Sequence, residues 1–86
     1  MSKDFNHQVD KILTEIRKML VSKNKKYGNS ALNPKRIFSK ADAKEQIKVR
    51  IDDKLSRMSN QDDDEDVIMD LMGYLVLLRI SEKEEV

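Results

Sequence analysis

Between Asp62 and Ile80 the sequence reads as one helix that is apolar on nearly every side. Val67, Ile68, Met69, Leu71, Met72, Leu75, Val76, Leu77, Leu78 and Ile80 leave no broad polar face. Outside a membrane, such a helix needs neighbours around most of its circumference. The run is broken by Asp70 and Arg79 and falls short of the ~20 residues that a bilayer span requires. The rest of an 86-residue chain must therefore cover it, or other copies must. A domain of this size buries only about 60% of the surface that its unfolded chain exposes. The sequence has no cysteine and a single histidine, His7, so neither disulfides nor a thiolate or histidine metal site can add stability. Self-association into a dimer or higher homo-oligomer is the expected completion.

Two shorter amphipathic patterns precede that helix. Phe5, Val9, Ile12, Leu13, Ile16, Met19 and Leu20 recur at three- and four-residue steps, which predicts a helix over about 4–21. Ile47, Ile51, Leu55 and Met58 mark the apolar face of a second, over about 40–59, with Ser39 as N-cap, Asp42 at its third position, and Lys44, Lys48, Asp52 and Lys54 mainly off the face. The third runs over about 62–80, and Asp62, Asp63, Asp64 and Glu65 place negative charge at its N-terminal end, where the helix dipole favours it. The expected fold is all-α: one domain over 1–80 that assembles into an oligomeric helical bundle, with a long loop at 22–39 and a charged, frayed tail at 81–86. The first residues open onto the amphipathic pattern without a cleavable hydrophobic region, so a cytoplasmic protein is expected.

The formal charge of +1 hides a segregation. Lys18 to Arg57 holds twelve basic residues and four acidic ones, whereas nine acidic residues face two basic ones from Gln61 onward. Such a split suits an anionic ligand near the middle of the chain, or mutual neutralisation of the two halves. The basic segment also admits a nucleic-acid or protein-binding adaptor. The acidic half and the lack of any DNA-reading motif argue against duplex binding.

Three groups of residues could carry chemistry. The segment Lys23 to Ser30 holds Lys23, Lys25 and Lys26 for phosphates, Tyr27 for stacking, and Asn29 and Ser30 for directional hydrogen bonds, with Gly28 allowing close backbone approach. From composition alone it reads more readily as a turn that caps the first helix, with Tyr27 packed under it. Arg50, Asp53, Lys54 and Arg57 form a polar stripe at helical spacing, fit either to hold phosphate or to face solvent as salt bridges. Asp70 interrupts the apolar helix, with Asp66 one turn before it and Tyr74 one turn after. An ionised carboxylate there needs a metal, a ligand donor, or a basic partner such as Arg50, Lys54 or Arg57.

Lys25 to Ser30, Val49 to Arg57 and Asp66 to Tyr74 together resemble, in order and rough spacing, small phage and prophage proteins of the nucleotide modification associated domain 1 family. That family is similar to the all-α MazG-type nucleoside triphosphate pyrophosphohydrolases. The resemblance covers about Lys23 to Leu78 and implies a nucleotide-related ligand, held where the loop, the stripe and the Asp70 face converge. The chain departs from the MazG type at Val67, where those enzymes place a Glu, at Lys26, where they are more often acidic, and in the mixed stripe of Asp53, Lys54 and Arg57, where they carry a Glu-x-x-Glu pair.

These departures favour binding over hydrolysis. The expectation is a phage-type protein that holds a small nucleotide without turnover and sequesters a host immune nucleotide signal. Its ligand residues would be Lys23, Lys25, Tyr27, Asn29, Ser30, Arg50, Asp53, Lys54, Arg57, Asp70 and Tyr74, with no cofactor. The alternative is a magnesium-dependent pyrophosphohydrolase with Asp53, Asp66 and Asp70 as metal ligands.

Overall fold

A computed structural model describes residues 2–33, 41–60 and 66–84. They form three helices and, among the described residues, no strand: α1 (Ser2–Tyr27), α2 (Ala43–Ser59) and α3 (Val67–Glu84). The all-α expectation is met. None of these helices is long and apolar enough to cross a membrane.

Each helix has different bounds from those the pattern suggests. α1 runs six residues past Val21, so Lys23 to Tyr27 are helical and not part of a loop. Lysine and asparagine tolerate helix, and Lys25 and Lys26 in the last turn suit the negative end of the dipole. What stops α1 is backbone conformation. Gly28 and Asn29 both take positive φ, 63° and 61°, and the Asn29 N–H bonds back to the Asn24 carbonyl at 3.2 Å. That closure is the one a left-handed residue after a helix makes possible.

α2 starts at Ala43, and Asp42 is its N-cap where the third helical position was expected. The Asp42 carboxylate accepts from the Glu45 N–H at 2.9 Å, a bond that competes with helical φ and ψ at Asp42 itself. Ser39 lies outside the described residues. Asp66 serves α3 in the same way, accepting from the Met69 N–H at 3.0 Å, so that helix opens at Val67. Residues 62–65 lie outside the described residues. At its far end α3 continues to Glu84, through most of the expected tail. Ser81 is buried there and its hydroxyl donates to the Leu78 carbonyl at 2.7 Å.

Packing is uneven. α2 and α3 make the main helix pair, while the backbone of α1 approaches α3 only, among the described residues. Among the described residues the buried apolar side chains are Ile16, Ile47 and Val67, one from each helix. Contrary to the pattern on α2, Lys54 is buried while Leu55 and Met58 are exposed, because Lys54 meets a carboxylate of α3. On α1 every described side chain from Asp4 to Glu15 is exposed, including Phe5, Val9, Ile12 and Leu13 of the apolar stripe. The radius of gyration, 14.7 Å, exceeds the roughly 12 Å of a compact chain of this length. The protruding half of α1 is one visible reason.

Candidate functional site

Where α1 crosses α3 the two helices meet over a glycine. Gly73 is buried, and a Cβ built there would lie 2.7 Å from the Met19 Cε and 3.2 Å from the Leu20 Cδ2. A Cβ there would have to displace the flexible ends of Met19 and Leu20, so Gly73 is where α1 and α3 approach most closely with least crowding. Beside this contact lies a cavity of about 400 Å³, open to solvent. α1 lines it with Met19, Leu20, Lys23, Asn24 and Tyr27, and the following turn adds Ser30 and Ala31. Arg50 comes from α2, and Asp70, Gly73, Tyr74 and Leu77 from α3. Residues 70, 73, 74 and 77 form one face at helical spacing, and so do 20, 23, 24 and 27 on α1. The cavity is the groove between those faces.

Asp70 joins all three helices at one point. One carboxylate oxygen lies 3.2 Å from the Lys54 Nζ, and the other 3.5 Å from the Lys23 Nζ. The Lys54 and Asp70 side chains are only 10% and 16% exposed, which strengthens their attraction and makes either partner costly to leave alone. Lys23 is different. Its side chain is 55% exposed, so its share of the contact is screened and it can turn toward an anion at little expense. Lys26 Nζ stands 5.4 Å from the centre of the Tyr27 ring, within range of a cation–π contact.

Of the residues singled out from the sequence, Lys23, Tyr27, Ser30, Arg50, Asp70 and Tyr74 line the cavity together. Lys54 sits behind Asp70 as its buried counter-charge. Lys25, Asn29, Asp53 and Arg57 do not line it. Asn29 is part of the turn that ends α1. Asp53 and Arg57 pair with each other on the exposed side of α2, at 3.3 Å.

The metal set of the pyrophosphohydrolase alternative is likewise dispersed over other tasks: Asp53 on Arg57, Asp66 on the first turn of α3, and Asp70 on two lysines. Among the described residues, no three acidic, histidine or cysteine side chains gather where they could share an ion. Sequence reasoning missed Asn24 and Gly73. Continuing the α1 ladder from Leu20 would have put Asn24 on the cavity face, and a lone glycine inside an apolar helix signals close packing.

The site thus offers two accessible cations, one phenol from each of two helices, the Ser30 hydroxyl of the turn, the Asn24 amide of α1, and an apolar floor. That combination can neutralise a phosphate and pack against a flat ring at the same time. Compared with models of known protein families, with curated proteins and with solved structures, the chain matches none.

Proposed function

We propose that the chain binds a small phosphate-bearing nucleotide in the groove between α1 and α3 and releases it unchanged. The observation that carries this is the lining of one 400 Å³ cavity by Lys23 and Arg50 together with Tyr27 and Tyr74. In this reading Lys23 and Arg50 hold phosphate, Tyr27 or Tyr74 packs on the base, and Asn24 and Ser30 supply hydrogen bonds. Lys54 and Asp70 keep the three helices in register beneath them. The three strings that resemble the nucleotide modification associated domain 1 proteins support the same ligand class.

Retention is preferred to turnover because Asp53, Asp66 and Asp70 each already serve a partner of their own. Sequestration of a nucleotide signal is the role that binding without turnover would fill. The test is calorimetric titration of a panel of mono-, di-, tri- and cyclic nucleotides, followed by heat denaturation and chromatography of what is released. Intact nucleotide with a one-site isotherm is the expected result. A panel without a binder ends the proposal, and recovery of cleaved product alone replaces it with the pyrophosphohydrolase reading.

A further inference from the structure

We infer that a second copy of this chain covers the N-terminal half of α1, by laying the outward stripe of its own α3 along it. This goes beyond ligand binding and does not depend on it. On α1, Phe5, Val9, Ile12, Ile16 and Met19 alternate four- and three-residue steps, the seam of a helix packed lengthwise on another, and Leu13 flanks that seam beside Val9 and Ile16. The lower end of that seam is already covered in the single chain, where Ile16 is buried and Met19 meets Gly73 of α3. Further up, Phe5 is 64% and Leu13 58% exposed.

The second unpartnered face is on α3 itself. Ile68, Met72, Leu75, Val76 and Ile80 lie by helical spacing on the side opposite Asp70, the residue that meets Lys54 of α2, and Ile68 and Leu75 are 58% and 53% exposed. Among the described residues three apolar side chains are buried while two apolar stripes stand exposed.

Area decides between the possible pairings. One helix face of this length buries on the order of 350 Å² per chain, the size of the largest patch that an ordinary monomer leaves bare. Pairing α1 with α1, or α3 with α3, buries one such face per chain and leaves the other in water. Exchange about a two-fold axis, α1 on the partner's α3 and the reverse, covers both. It buries about 1,400 Å² in all, within the range of specific dimers.

Sedimentation velocity on the full chain, from about 1 µM to about 1 mM, tests this. A concentration-dependent dimer is expected, and Leu13→Glu and Leu75→Glu should each raise its dissociation constant by about thirtyfold or more, as loss of a central contact does. Both positions face solvent in the single chain, so circular dichroism should be unchanged. The chain has no cysteine, so Val9→Cys and Val76→Cys can be mixed as single-cysteine variants under mild oxidation. Heterologous cross-linking that exceeds either variant alone is the expected pattern, and it holds even if a glutamate variant misfolds. A monomer throughout the range, an effect of Leu13→Glu without one of Leu75→Glu, or cross-linking only of Val9→Cys with itself would each overturn the exchange.

Discussion

Lys54 Nζ of α2 and Asp70 Oδ2 of α3 lie 3.2 Å apart, in the most enclosed ion pair among the described residues. Opening one side of such a pair leaves the other charge in a poor solvent. Asp70→Asn should therefore destabilise the fold by about 3 kcal/mol, read as a lower urea midpoint. The double variant Lys54→Met, Asp70→Leu removes both charges and keeps their volume, so it should recover most of that loss. Recovery of stability without recovery of nucleotide binding would separate the structural work of Asp70 from its place in the cavity.

Lys23 and Lys25 make a sharper pair of tests, because they are two residues apart and only one lines the cavity. Lys23→Ala should weaken nucleotide binding by about tenfold, the loss of one charge-assisted contact. Lys25→Ala should leave the isotherm within error of the parent. Equal losses would mean a diffuse basic surface and not a site.

Gly73 lies where α1 approaches α3, and the first atom that a Cβ would meet is the mobile end of Met19. Gly73→Ala gains about 1 kcal/mol of helix propensity, which offsets the local crowding. Its melting temperature should lie close to the parent's. Gly73→Val adds two methyl groups that Leu20 cannot evade, so it should lower the melting temperature and weaken nucleotide binding together.

The capping carboxylates are separable from the site. Asp42→Ala and Asp66→Ala should each cost about 1 kcal/mol by denaturant unfolding, with ligand affinity unchanged at concentrations where the variants are folded. A loss of affinity at Asp66 that exceeds its effect on stability would return it to the ligand set.

The three helices were legible because apolar residues at three- and four-residue steps have few other uses. Their ends were less so. Lys23 to Lys26 offer no apolar residue to extend the α1 stripe, so composition suggested a loop, yet backbone hydrogen bonding continues until Gly28 and Asn29 turn left-handed. That one misreading hid Asn24 and put Lys25 in the site. Asp42 and Ser39 compete for the same capping role, and a sequence does not say which carboxylate or hydroxyl reaches the free N–H. Asp70 was legible as a residue in need of a partner. Its division between Lys54 and Lys23 depended on how α1 crosses α3 at Gly73.

α1 is a rod of 26 residues held near Met19 and Leu20, well off its centre. At about 1.5 Å per residue, Lys23 is about 5 Å beyond that fulcrum and Phe5 about 22 Å before it. A small tilt that draws Lys23 toward a phosphate swings Phe5 roughly four times as far. The groove is the short arm of a lever, and whatever grips the long arm decides how easily it closes.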